Sequence, residues 1–142
     1  MSIKIKRFDK ELPLPKAHTD RAAAFDLYVR QATTIPPRGV MLVPLNNAIA
    51  TPDGYFLLLA ARSSLHKRGL MLGNGIGIID PDFAGDTDEL CGVIYNFTDA
   101  PVTVEKGDRL IQGTFIKVSD WQWEEVEKMP HKDRGAFGTT GK

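Results

Sequence analysis

No window of ten or more residues in this chain sustains a helical apolar stripe. Short apolar runs recur instead: Phe25–Val29, Val40–Pro44, Tyr55–Ala60, Ile76–Ile79, Val93–Phe97, Val102–Val104 and Leu110–Val118. Pro, Gly, Asn or Asp bounds each run, and the nine prolines and thirteen glycines fall at the spacing of an all-β barrel or sandwich. Pro36-Pro37-Arg38-Gly39 and Lys106-Gly107-Asp108 read as turns between strands. The one short-helix candidate starts at Ser63 or Ser64, where serine caps, and runs to Arg68, with Gly69 as terminator.

The 142 residues suffice for one domain with a buried core. A net formal charge of zero gives no reason to expect a broad nucleic-acid or membrane surface, and neither is expected as a partner. Cys91 is the single cysteine, which excludes an intramolecular disulfide and a cysteine-rich zinc site. Beside Val93 and Ile94 it reads as a core or near-core residue. The N-terminus lacks the apolar run of a signal peptide, and no segment has the length of a membrane span, so a reducing, cytoplasmic compartment is expected. From His131 the chain turns Gly-, Thr- and charge-rich, which divides it into a β-rich domain over 1–130 and an arm over 131–142.

Gly73–Gly85 is the most suggestive stretch for chemistry. Its glycines alternate with Asn74 and Ile76, and Ile78-Ile79 leads into Asp80 and then the aromatic Phe83. β-branched residues mark strand, whereas glycine within a strand marks a bend or a close approach by a ligand. A glycine-rich β-hairpin exposes backbone amides and carbonyls suited to reading the edge of a flat heterocycle. A structural hairpin with a solvated carboxylate is the plainer alternative.

Four further clusters carry polar chemistry. Arg62-Ser63-Ser64 places hydroxyls and free amides at the start of the helical turn, as an anion site or as simple capping. Gly107–Gln112 makes a turn into a strand, with Gln112 facing a phosphate or solvent. Asp26 lies among residues that should be buried, so its carboxylate needs a cationic or amide partner. In the tail, Arg134 suits bidentate phosphate binding and Phe137 suits stacking on a ring. Gly138 and Thr139 add a backbone amide and a hydroxyl, and a solvated terminus is the alternative.

Taken in order, Ala23–Tyr28, Ala61–Leu70, Gly73–Gly85, Gly107–Gln112 and Arg134–Gly141 resemble the five motifs of the trimeric deoxyuridine triphosphate nucleotidohydrolases (dUTPases). The resemblance implies an all-β, jelly-roll-like subunit and a homotrimer with shared active sites, over which the C-terminal arm closes. It implies dUTP as substrate and dUMP and pyrophosphate as products. On that likeness Asn74, Gly77 and Ile79 read uracil, and Phe83 packs against deoxyribose. Asp80 activates the attacking water. Ser63, Ser64 and Gln112 hold the phosphates, Arg62 supports the site across the subunit boundary, Arg134 contacts the outer phosphate, and Phe137 caps the base with Gly138 and Thr139 beside it. Asp26 orients its neighbours. Mg2+ enters on the triphosphate, with no direct protein ligand.

Three features depart from the family pattern. Phe83 stands where tyrosine is usual, Asp86–Leu90 lengthens the segment before Asn96, and Arg134 precedes Phe137 by fewer residues than usual. The lengthened segment reads as a bulge or extended turn. A deoxycytidine triphosphate deaminase or bifunctional enzyme shares the fold, but Val93 stands where its glutamate would be, and Glu89 is out of register. A noncatalytic nucleotide-sensing member is the other alternative, since a fold alone does not fix function.

Overall fold

The computed structural model describes residues 2–138. Eleven short strands account for the regular structure: β1 (Ile5–Arg7), β2 (Phe25–Leu27), β3 (Thr33–Ile35), β4 (Val40–Pro44), β5 (Asn47–Ile49), β6 (Tyr55–Ala61), β7 (Leu70–Leu72), β8 (Gly77–Ile79), β9 (Cys91–Asn96), β10 (Val102–Val104) and β11 (Ile111–Lys117). All pairings are antiparallel. They form a four-stranded sheet β2-β11-β6-β8, a three-stranded sheet β4-β9-β7, and the ribbons β1-β5 and β10-β3. The expected all-β class holds. The expected helix is a single 3-10 turn, Leu65–Arg68, closed by Gly69 at φ 74°. A Cβ on Gly69 would lie 2.2 Å from Thr98 Cγ2, so both backbone and space require glycine there.

Alternation fixes the register. Leu57 and Leu59 of β6 face inward with their partners Ile79 and Gly77, whereas Leu58 and Ala60 face outward with Ile78 and Gln112. A slip of one residue would expose the core face. Leu27, Ile35, Val43, Leu57, Leu70, Ile94, Val104 and Ile111 are fully buried in one cluster drawn from both larger sheets and the ribbons. Each such side chain contributes roughly 1.5–3 kcal/mol relative to exposure. Most strands here have only three residues, so this packing outweighs their ladders.

Buried Asn96 ties three elements together. Its Nδ2 donates to Ile35 O (3.1 Å) and Ala100 O (2.7 Å), and its Oδ1 accepts from Thr98 N (2.9 Å) and Thr98 Oγ1 (2.7 Å). Asn46 does comparable work at the β4–β5 connection. It adopts φ 69°, a region that asparagine tolerates better than most residues. Its side chain bonds Asp9 N (2.7 Å) and Asp9 O (3.0 Å), and its own N–H donates to Glu89 Oε1 (2.9 Å).

One sequence expectation needs correction. The stretch 73–85 does not form a β-hairpin, because β7 pairs with β9 and β8 pairs with β6. Residues 73–76 instead carry the chain from one sheet to the other. Gly73 N–H extends the β9 ladder to Val93 O (2.8 Å), and Gly75 at φ 77° makes the turn, with its N–H on Leu72 O (3.2 Å). Nothing in a local apolar pattern distinguishes two paired arms from two arms in different sheets.

Two outcomes test this packing. Asn96→Ala removes four hydrogen bonds, three of them to backbone groups, and should cost about 2–4 kcal/mol in denaturant unfolding. Burial, reinforced by the Glu89 carboxylate, pushes the Cys91 thiol pKa up, against a smaller opposing effect of Arg30. The folded state therefore favours the neutral thiol, and this contribution to stability is lost as pH rises through the folded pKa. Thiol labelling at about pH 8 should be slower in the native chain than in denaturant, because the unperturbed thiol titrates near 8.5. Equal rates would refute the shielding.

Candidate active site

The site is built around an edge. β8 is the outermost strand of its sheet, so the backbone groups along its free side are not taken by a neighbouring strand. Against it lies a cleft of about 360 Å³, to which Asn74, Gly77, Ile79 and Phe83 contribute from the 73–85 stretch. Leu42 and Val93 form the facing wall from the other sheet, and Glu89 and Cys91 close one end. Four of the residues expected to contact base and sugar therefore meet in one concavity. A Cβ on Gly77 would lie 3.1 Å from Leu59 Cβ, so a larger side chain there requires Leu59 to give way.

Asp80 follows Ile79 directly and is exposed at the rim. Its carbonyl accepts from Phe83 N–H (3.2 Å), which bends the chain so that carboxylate and ring leave the same turn. Its carboxylate has no partner among the described residues. Asp26, Asp88, Glu89 and Asp108, by contrast, are all engaged by donors.

A second group of polar residues gathers around Asp26, whose register partner on β11 is Gln112. Asp26 is only 6% exposed. Its Oδ1 meets Arg62 Nε at 3.0 Å, and its Oδ2 meets Arg109 Nη1 at 3.3 Å and His18 Nε2 at 3.0 Å. Arg62 Nη1 also donates to Arg109 O (3.1 Å). This is the cationic partner expected for the carboxylate, and it fixes Arg62 just before Ser63 and Ser64. Both serines are exposed, and the Ser64 side chain makes no capping bond, which leaves simple capping without support. Gln112 Nε2 donates to Ala61 O (3.0 Å), so its carboxamide lies beside the same β6 terminus.

Arg109 and His18 join the site without a mark in the sequence. Arg109 lies within the Gly107–Gln112 block, but its spacing alone does not aim it at Asp26. Nothing local distinguishes His18, which reaches Asp26 through the bridge pairing Lys16 with Asp26. The Gly107-Asp108 turn forms as expected, with Gly107 at φ 88° and Asp108 Oδ2 accepting from Glu105 N (2.9 Å) and Arg68 Nη1 (2.7 Å).

The two groups do not share one concavity. Gln112, Ala60 and Leu58 border a groove on the outward face of the four-stranded sheet, whereas Leu59, Gly77 and Ile79 belong to the inward face and the cleft. Arg134 and Phe137 line neither. Arg134 is exposed, Phe137 is fully exposed at 105% with φ 53°, and Gly138 follows at φ 83°. Thr139 lies outside the described residues.

Comparison with known proteins agrees with this architecture. The family model described as dUTPase matches residues 10–141. The deoxyuridine 5'-triphosphate nucleotidohydrolase of Dictyoglomus turgidum is 38% identical over 144 residues, covering 96% of each chain. That of Shewanella oneidensis is 38% identical over 141 residues, covering 95% of this chain and 91% of the relative. Among solved structures, the dUTPase from Streptococcus mutans superposes with a TM-score of 0.76 at 31% identity, over 84% of this chain and 98% of that one. The Staphylococcus bacteriophage 80alpha dUTPase with dUPNHPP reaches 0.85 at 20% identity, over 99% and 98%, and shares the fold. An edge-strand cleft, an adjacent free aspartate and an arginine-clasped Asp26, with this match across nearly the whole length, make the chain a member of the dUTPase family.

Proposed function

We propose that this chain hydrolyses dUTP to dUMP and pyrophosphate, with the Asp80 carboxylate activating the attacking water. The observation that carries this reading is the unpartnered carboxylate at the mouth of the edge-strand cleft. A group already held by cations would have little basicity to spend on water, and Asp80 is free of them. The base would lie along β8, with Gly77 and Ile79 offering backbone groups and Asn74 its carboxamide. Phe83 would lie against C2′ of the sugar and leave no room for a ribose hydroxyl.

In the reaction, water gives its proton to Asp80 as its oxygen bonds the α-phosphorus in line. The bond to the bridging oxygen then breaks and pyrophosphate leaves. Ser63, Ser64 and Gln112 would hold the phosphates, with Arg62 oriented by Asp26. Arg134 would reach the outer phosphate, and Phe137, Gly138 and Thr139 would close over the nucleotide. Among the described residues no three His, Cys, Asp or Glu side chains converge as a metal-ligand set. A magnesium ion would therefore be held by phosphate oxygens and water, and would shield the triphosphate charge. The reaction would take place in the cytoplasm.

The separation of cleft and phosphate groove by a sheet favours a site completed between subunits, with the homotrimer as its assembly. The outer face of β4-β9-β7 supplies a surface for such contact. Val40 and Met71 are exposed there, both in register with Tyr95. A deaminase reading has no support, because Val93 cannot carry a proton and Glu89 is already bound by Arg30 and Asn46 N–H.

Pyrophosphate release measured across dUTP, UTP and the four common deoxynucleotides tests the function. Selective turnover of dUTP is expected, and ammonia from dCTP would overturn it. In the same assay Asp80→Asn should retain nucleotide binding yet lower kcat by about 10²–10⁴-fold. A mixing experiment tests the shared site. Asp80→Asn and Gln112→Ala, each impaired alone, should regain activity when co-refolded, since about a quarter of the sites in a random mixture would draw both sets from intact subunits. No recovery would mean that each subunit supplies its whole site.

A further inference from the structure

We infer that the Arg30–Glu89 ion pair positions the Phe83 wall of the cleft and thereby sets how strongly a ribonucleotide is rejected. This rests on reading Phe83 as the surface that meets the sugar. The segment that carries Phe83 leaves β8 after Ile79 and returns to the fold at Leu90, whose N–H donates to Asn47 O (2.8 Å) and whose carbonyl accepts from Leu45 N–H (2.8 Å). Between those points it has no strand partner.

Its outer tie is a single exposed lysine. Lys6 Nζ donates to Asp86 O (2.8 Å) and meets Asp86 Oδ1 at 3.4 Å with the aspartate side chain 95% exposed, and such exposed pairs add little. Phe83 has no hydroxyl with which to anchor its own ring. The firm attachment is Glu89. Arg30 Nε donates to Oε1 (2.7 Å), Arg30 Nη2 donates to Oε2 (2.9 Å), and Asn46 N–H adds a third bond to Oε1 (2.9 Å). The bidentate geometry fixes orientation as well as distance. Arg30 is itself held, since its N–H donates to Pro44 O (2.9 Å).

The clamp connects to the wall through a tight turn. Asp88 N–H donates to Gly85 O (3.2 Å), and Asp88 Oδ2 accepts from Gly85 N–H (2.7 Å). Residues 85–88 therefore act as a short stiff lever between Glu89 and Phe83. Phe83 and Glu89, on either side of that lever, both line the cleft, and the Glu89 side chain is only 13% exposed, so its carboxylate needs its cation. Residues 86–90, which lengthen the loop relative to the family pattern, thus bring Glu89 within reach of Arg30.

The test measures kcat/KM for dUTP and UTP in the full chain, with melting temperatures, for Arg30→Ala, Arg30→Lys, Glu89→Gln and Phe83→Ala. Arg30→Ala should lower the dUTP-to-UTP preference by about ten-fold with kcat for dUTP largely kept, Glu89→Gln should lower the preference likewise, and Arg30→Lys should fall between them and the parent. A preference unchanged in the folded Arg30 and Glu89 variants, while Phe83→Ala lowers it, would reduce the clamp to a structural tie and overturn the inference. An unchanged preference in Phe83→Ala would remove the sugar wall and the inference with it. If Arg30→Ala does not fold, Arg30→Lys and Glu89→Gln decide the matter by the same ratio.

Discussion

The fold depends on how it accommodates one carboxylate. Asp26 lies almost fully out of solvent on a three-residue strand, and an unpaired charge there would be prohibitive. Arg62 arrives from the end of β6, Arg109 from the turn before β11, and His18 from the segment ahead of β2. Satisfying the charge therefore draws three separate parts of the chain to one point. It also fixes Arg62 directly before Ser63 and Ser64, and Gln112 stands opposite Asp26 in the β2–β11 register. On the proposed function, stability and phosphate binding would share that solution, because the guanidinium that cancels the buried charge also stands beside the serines.

The larger sheets divide the remaining labour. The edge strand β8 offers unpaired backbone toward a cleft walled by the second sheet, while the opposite face of its own sheet carries Gln112. An edge strand is ordinarily a hazard, open to pairing with any other chain. Here the strand is only three residues long and runs directly into Asp80, so its free groups suit a small planar ligand better than another strand.

Much of this is legible in the sequence because the signals are local. Alternating apolar runs between turn residues announce strands, and β6, β9 and β11 alternate as those runs predict. The need of Asp26 for a cation follows from its apolar neighbours alone. The identities of its partners do not, since Arg109 lies 83 residues away and only the β2–β11 pairing brings it near. The same holds for Arg30 and Glu89, 59 residues apart, whose meeting depends on the left-handed backbone of Asn46 between the sheets. The apparent hairpin at 73–85 misleads for a related reason. Glycines announce a change of direction and say nothing of which strand each arm will find. Arg134 and Phe137 carry a compositional signal, and both are exposed.

The crossing at residues 73–76 has a consequence for how this protein can vary. The turn that ends one sheet's ladder and starts another's spans four residues and is tied by Gly73 N–H to Val93 O and by Gly75 N–H to Leu72 O. An added residue on that side of β8 has to be absorbed within those ties. On its other side the chain runs free of any ladder until Leu90, and there an added residue disturbs no pairing. Changes of length are therefore tolerated more readily downstream of Asp80 than upstream of it, which on the proposed function would let the segment beside the sugar vary while β8 keeps its length.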